Sequence, residues 1–190
     1  MFSGSEWRNN LRGCFEIYLF MSVGVDRFSA APADAIKSFI IPAVMLPFTL
    51  FVILSLPEQS GGSVGIILPL HAVRILLSLG LTLMAVYFLT KQFGREEHFY
   101  QFLTISNWTN IPALVLTMPI IYGVFSGHDM IAYESYAVFI TLAGYTYAAF
   151  IIARCFKLPW ELGGFIAIVG LAIDQNLFDL THYIRDMMIV

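Results

Sequence analysis

The chain has 190 residues, of which 58% are hydrophobic and only 12% are charged. Soluble domains average roughly 45–50% apolar and about 25% charged residues, so this composition excludes an ordinary water-soluble fold. The formal net charge of -3 is a poor guide to partners, because the positions of the charges matter more than their sum. No feature of the sequence indicates nucleic acid, and we expect no nucleic-acid partner. The two cysteines, Cys14 and Cys155, lack CxxC or Cys/His spacing, so we expect free thiols, no metal and no cofactor.

The N-terminal segment, residues 1–34, is interpreted as amphipathic. Between Ser5 and Met21, apolar residues recur at helical spacing on one face, and charged and polar residues occupy the other. Such a helix lies flat in the lipid headgroup region, with its arginines near anionic lipid, or it packs on the cytoplasmic face of the bundle. Both alternatives stay open. Pro32 and Asp34 are well placed to start the next helix.

Residues 35–177 contain five apolar stretches of about twenty residues, the length that crosses ~30 Å of hydrocarbon as an α-helix. The predicted spans are Ala35–Leu56, Ile66–Phe88, Phe102–Phe125, Ile131–Ala153 and Trp160–Leu177, followed by a short amphipathic tail, Phe178–Val190. They are too long for core helices and lack the alternation of β-barrel strands, so the predicted fold class is all-α, a polytopic membrane helix bundle. Pro42 and Pro47 predict a bend in the first span.

The basic residues predict the orientation of these spans. Eight of them fall on one side of the predicted spans: Arg8, Arg12, Arg27, Lys37, Lys91, Arg95, Arg154 and Lys157. The loops on the other side, Pro57–Gly65 and Ser126–Asp129, contain no Lys or Arg. Basic residues are retained in the cytoplasm, so we expect a cytoplasmic N-terminus and a C-terminus on the opposite side. The membrane that we expect is a bacterial inner membrane.

Arg74 is the most costly residue in the predicted spans, about eight positions from the outer start of the second span, or ~12 Å deep. Asp174 lies at a matching depth, ~9 Å below the outer surface of the hydrocarbon. Glu134 lies at a shallower level, and His71 is one turn from Arg74. We therefore predict a polar cluster of His71, Arg74, Glu134 and Asp174. It is either an ion pair that fixes helix register or a binding position for a proton or an anion.

Polar residues in the other leaflet are fewer. Ser106, Asn107 and Asn110 open the third span, and Thr117 continues the Asn110 face. Asn side chains at such positions cap a helix or bond across to a neighbouring helix, so we favour a role in helix association over a ligand site. Small residues in the last two spans allow close helix approach and are predicted to serve internal packing: Ala143, Gly144, Ala148, Ala149, Gly163, Gly164, Ala167 and Gly170.

The chain resembles the Yip1-type membrane domain and its small bacterial relatives of unknown role. The resemblance rests on the five closely spaced spans and on the stretch between spans two and three. There, the loop Gly94–Phe102 leads into the proline-bearing segment Ser106–Pro112, as a glycine and polar loop leads into a helix in that family. The resemblance implies a fold for residues 35–177 and no particular activity.

Three functional hypotheses follow from the residues. The first is a non-enzymatic protein that binds other membrane components, including lipid, other membrane proteins or a second copy, as a scaffold, accessory subunit or membrane-organising factor. The second is a small transporter or channel subunit built around Arg74 and Asp174. The third, an intramembrane enzyme, has the least support, because no nucleophile and base stand at helical spacing.

Overall fold

A computed structural model describes residues 2–55, 64–127 and 130–189, and these fold into seven α-helices without a β-strand. In chain order the helices are α1 Gly4–Tyr18, α2 Pro32–Ser38, α3 Ile40–Leu54, α4 Val64–Gln92, α5 Phe99–Phe125, α6 Glu134–Cys155 and α7 Trp160–Ile189. Short 3₁₀ turns precede α2, α5 and α6. The predicted all-α fold is confirmed.

Five helical stretches are long and apolar enough to cross a membrane. They are Pro32–Leu54, Val64–Gln92, Glu96–Phe125, Ile131–Cys155 and Trp160–Met188. All five correspond to predicted spans, so the protein is a multi-pass integral membrane protein in contact with lipid. Most of the predicted loop Pro57–Gly65 and the end of the loop Ser126–Asp129 lie outside the described residues.

The first span, for which a bend is predicted, is interrupted by one residue near its start. Helix α2 ends at Ser38 and α3 begins at Ile40, with Phe39 as a turn between them. Pro42 explains the position of the break, because it has no N–H to donate to the carbonyl of Ser38 and its ring crowds that carbonyl. Pro47 lies inside α3, which continues past it to Leu54.

The predicted tail is not a separate segment, because α7 continues without interruption from Trp160 to Ile189. Its sequence contains no Gly or Pro after Gly170. A helix of 30 residues is about 45 Å long, whereas the hydrocarbon core is about 30 Å thick. The last three turns of α7 therefore reach the headgroup region or extend beyond it.

Helix α1 packs across one end of the bundle, against α5 and α6. Ser3 and Glu6 form a capping box at its start, and its inner face buries Cys14 and Ile17. The opposite face leaves apolar side chains such as Phe15, which is 65% exposed, directed away from the bundle. Of the two alternatives for this segment, the structure therefore shows packing on the bundle, with a second apolar face that remains available to lipid.

Ion pairs hold the N-terminal region in place at this end of the bundle, called the basic end because Lys91, Arg95, Arg154 and Lys157 also lie there. Lys37 contacts Glu6 at 2.9 Å, and Glu16 accepts hydrogen bonds from Arg12 and Arg27. The pKa of Glu6 is lowered to about 2, first by the backbone N–H of Ser3 and then by Lys37. The pKa of Glu16 is also lowered, chiefly by Arg27.

Acidification is expected to loosen α1 from the bundle. A carboxyl group whose pKa is lowered on folding adds stability above its unfolded-state pKa and loses that contribution as the pH falls through its folded-state pKa. For Glu6 this window runs from 4.5 down to about 2. Tryptophan fluorescence reports the change, because the rings of Trp7 and Trp108 lie 4.7 Å apart. The variant Glu6→Gln should reduce the transition in this window, and an identical transition in the variant would contradict the assignment.

Candidate functional site between helices α4 and α7

Helices α4 and α7 pack against each other in opposite directions and bring polar residues together at the far end of the bundle, opposite α1. Arg74 follows His71 by three residues, and Ser78 follows Arg74 by four, so the three residues share one face of α4. Asp174, Phe178 and the residues one turn beyond them share one face of α7. The antiparallel arrangement places these two polar faces along a common seam.

Arg74 lies beside Asp174, with 3.4 Å between Arg74 Nη1 and Asp174 Oδ1. Ser78 Oγ donates a second hydrogen bond to the same carboxylate oxygen at 2.8 Å. The Arg74 guanidinium also lies 5.4 Å from the centre of the Phe178 ring, a cation–π contact. The Arg74 side chain is only 14% exposed and that of Asp174 is 54% exposed, so the arginine is the partner that depends more on the contact.

Glu134 does not join this cluster. It lies in the first turn of α6 on the exposed surface, and no described hydrogen bond or ion pair connects it to Arg74 or Asp174. Helix α7 packs against both α4 and α6 and lies between them. The predicted depth of Glu134 in the membrane was compatible with the cluster. Depth alone, however, does not determine on which face of the bundle a residue lies.

Two members of the cluster escaped the sequence analysis. Ser78 lies one turn from Arg74, and this spacing alone indicates that the two side chains are neighbours on the surface of α4. His182 was assigned to a separate tail, whereas its ring lies 4.3 Å from that of Phe178 within the continuous α7. His71 is 3% exposed and interacts electrostatically with both Arg74 and His182.

A cavity of about 360 Å³ lies between helices α4, α5, α6 and α7. Most of its lining is apolar, with side chains such as Val86, Ile152 and Ile166. Asp174 lines it toward the far end, and Ser106 and Asn110 line it from α5. Polar residues predicted for opposite leaflets therefore border one space.

The basic end of the cavity is closed by two tyrosines. Tyr18, the last residue of α1, and Tyr147 of α6 both line the cavity, and their ring centres are 4.3 Å apart. Tyr147 Oη donates to the carbonyl of Tyr18 at 3.1 Å, and Tyr18 Oη donates to the carbonyl of Thr109 at 3.3 Å. The N-terminal helix thus forms part of the cavity wall.

The other predicted polar residues of α5 have structural partners. Asn107 Nδ2 donates to Ser38 Oγ at 2.8 Å and joins α5 to α2, as the hypothesis of helix association anticipates. Asn110 Nδ2 donates to the carbonyls of Ser106 and Asn107 within its own helix. Thr117 Oγ1 likewise bonds within α5, to the carbonyl of Leu114.

Comparison with known protein families, with curated proteins and with solved structures finds no match to this chain. The fold and the site define a class of protein on their own. It is a multi-pass helical membrane protein with a partly open apolar cavity, bordered by a carboxylate that is paired with an arginine at the far end.

Proposed function

We propose that this protein binds a small amphipathic membrane component in the cavity between α4, α5, α6 and α7, without a catalytic step. The cavity is the observation that supports the proposal, because ligand sites are typically spaces of roughly 300–1,000 Å³ with apolar walls and a few polar groups. A lipophilic molecule of this size reaches such a site from the bilayer. With this ligand bound, the protein would serve as a scaffold, an accessory subunit or a membrane-organising protein.

The lining favours a ligand with an apolar body and a hydrogen-bonding group. The walls are apolar over most of the cavity, and Asp174, Ser106 and Asn110 supply polar side chains, together with two threonines and the hydroxyl-bearing rings of three tyrosines. The carboxylate of Asp174 is the one formally charged group among the described lining residues. It accepts hydrogen bonds, so a ligand hydroxyl, amide or amine would complement it.

A small transporter is the second candidate. Its support is that residues predicted for both leaflets border a single cavity, which is closed by the Tyr18–Tyr147 contact at one end and bordered by the Arg74–Asp174 pair at the other. Transport would require these two closures to open alternately. In either role we propose that the protein lies in a bacterial inner membrane. The distribution of Lys and Arg supports an orientation with the basic end in the cytoplasm. The Yip1-type resemblance remains a prediction.

A leucine side chain that replaces a glycine in the cavity wall should occupy the cavity and exclude the ligand. A Cβ atom added at Gly144, which lines the cavity, would meet nothing within 4 Å, so Gly144→Leu fills empty space. Gly164 provides a matched control, because it is also a helical glycine with open space around it and does not line the cavity. Both substitutions improve helix propensity by roughly 0.5–1 kcal/mol, so neither should impair folding.

The measurement is the amount of small molecule that leaves with each purified variant, determined by solvent extraction and mass spectrometry. We expect wild-type protein and Gly164→Leu to retain equal molar amounts of the same compound, and Gly144→Leu to retain less than about a tenth of it, because the side chain occupies its place. Equal retention by all three proteins would contradict the proposal. Flux of the identified compound across proteoliposomes would then separate a transporter from a binding protein.

A further inference from the structure

We propose that the far end of the α4–α7 seam is a binding site for a phosphate group. Three buried nitrogen atoms on this seam have no hydrogen-bond partner: His71 Nδ1, Arg74 Nε and His182 Nε2. The proposal is independent of the cavity, which has none of these three residues in its lining. Two of the residues are on α4 and one is on α7, so the site would join the two helices.

The three atoms belong to one cluster. The guanidinium of Arg74 lies over the Phe178 ring at 5.4 Å, and the ring of His182 lies 4.3 Å from that same phenylalanine. His71 stands one turn from Arg74 on α4 and interacts electrostatically with Arg74, His182 and Arg185. His71 is 3% exposed, so bulk water does not supply the missing partner.

Buried polar atoms without a partner are rare in native proteins, because each one loses its hydrogen bond to water without replacement. Four such side-chain atoms occur in the described part of the chain, and three of them lie on this seam. The fourth, Trp108 Nε1, lies beneath α1 at the opposite end of the bundle. Their concentration at one place indicates a shared partner that binds there.

The chemistry of the donors indicates what that partner is. An arginine Nε–H only donates, so the atom that meets it must be an acceptor. The imidazoles of His71 and His182 donate through the nitrogens in question when these carry the proton, as both ring nitrogens do in a protonated imidazole. One tetrahedral oxyanion carries enough acceptor oxygens for all three donors, and arginine pairs especially well with phosphate.

One oxygen of each of two neighbouring carboxylates already accepts hydrogen bonds from the protein. Asp174 accepts from Arg74 Nη1 and from Ser78 Oγ, which leaves Arg74 Nε available for another acceptor. Asp186 lies one residue from Arg185 and accepts from its guanidinium at 2.8 Å. The cluster therefore presents donors and positive charge to an incoming ligand, and a metal cation would meet Arg74 at close range.

The height of the site matches lipid phosphate. His182 is 22 positions beyond Trp160 on α7, or about 33 Å along the helix, whereas the hydrocarbon core is about 30 Å thick. The site thus extends from Arg74, whose backbone lies within the hydrocarbon, to His182 at the level of the headgroups on the far side of the membrane. A phospholipid headgroup and a phosphate dissolved in the adjacent compartment both present the required oxyanion there.

Thermal unfolding of the full-length protein in a phosphate-free detergent distinguishes the two sources. Inorganic phosphate and short-chain phosphatidylglycerol are added separately, and a phosphate-free monoacylglycerol serves as the lipid control. We expect at least one phosphate probe to raise the melting temperature and the monoacylglycerol to leave it unchanged. A shift with inorganic phosphate indicates a soluble ligand, and a shift only with the phospholipid indicates a headgroup. No shift with either probe would overturn the proposal.

The variants His71→Phe and His182→Phe remove the unpartnered nitrogens and keep aromatic rings of similar size. Each should lower the affinity for the phosphate probe at least tenfold, whereas the unliganded proteins should melt no earlier than wild type, since no hydrogen bond within the protein is lost. His182→Gln, which keeps one donor, should bind with intermediate affinity. Tyr183→Phe alters the neighbouring exposed residue and should bind like wild type. Wild-type affinity in both histidine variants would overturn the proposal.

Discussion

Gly163→Ala is expected to destabilise the bundle more than alanine substitution of any other described glycine in α6 or α7. A Cβ atom at this position would lie 2.6 Å from the carbonyl oxygen of Ala149 and 2.8 Å from Cβ of Ala153. One contact is with a backbone atom of α6 and the other is with a Cβ atom, which is fixed to the backbone, so no flexible side chain can move aside. Helices α6 and α7 must separate, and overpacking of this kind costs about 1–3 kcal/mol.

Gly164→Ala is the matched control for this effect. It is the next residue on α7, and a Cβ atom there meets nothing within 4 Å. Alanine improves helix propensity by roughly 0.8–1 kcal/mol in both variants, so the difference between them isolates the cost of the crowded contact. Thermal unfolding in detergent should show a lower melting temperature for Gly163→Ala and an equal or higher one for Gly164→Ala. Similar melting temperatures would show that α6 and α7 do not cross at Gly163.

The second large effect is expected from Asp174→Ala. The substitution removes the carboxylate that contacts Arg74, while the arginine remains within a side-chain environment that is only 14% exposed. Loss of one partner costs about 3–5 kcal/mol in a buried ion pair and about 0–1 kcal/mol in an exposed one, so the half-exposed Asp174 places the expected loss between them, at about 1–3 kcal/mol. Arg74→Leu should cost less, because the half-exposed carboxylate keeps its hydrogen bond from Ser78.

A charge exchange tests the pairing itself. The double variant Arg74→Asp with Asp174→Arg should recover part of the stability that each single substitution loses, because a contact between opposite charges is restored. Glu134→Ala controls for general loss of an acidic residue at the far end and should leave the free energy of unfolding within about 0.5 kcal/mol of wild type. If the double variant recovers none of the loss, Arg74 and Asp174 do not stabilise each other directly.

The sequence was sufficient to predict the vertical position of residues in this fold. Helical rise and span length placed Arg74 and Asp174 at similar depths, and the structure brings them to 3.4 Å. The same calculation grouped Glu134 with them, although α7 separates α4 from the helix that carries it. Rotation of a helix about its axis and the order of helices around a bundle depend on packing between distant segments, which depth does not specify.

Local sequence patterns predicted helices and small-residue positions, but not the distant residues that these contact. The apolar spacing of residues 5–21 predicted an amphipathic helix, but it could not state that Tyr18 would reach Tyr147 across the chain. Gly163 and Gly164 are adjacent and equivalent in the sequence, yet only the first lies at a helix crossing. The cavity was beyond prediction for the same reason, because its lining is drawn from five helices that are distant in the chain.

Photolabelling with a diazirine analogue of the extracted compound tests the central claim most directly, because it locates the ligand within the bundle. Peptide mass spectrometry of the labelled wild-type protein should identify cavity-lining positions such as Ala113 and Ala148, and excess unlabelled compound should suppress this labelling. Non-saturable labelling confined to outward-facing residues such as Val115, Leu142 and Ile168 would contradict the account, because it would place the molecule in the surrounding lipid.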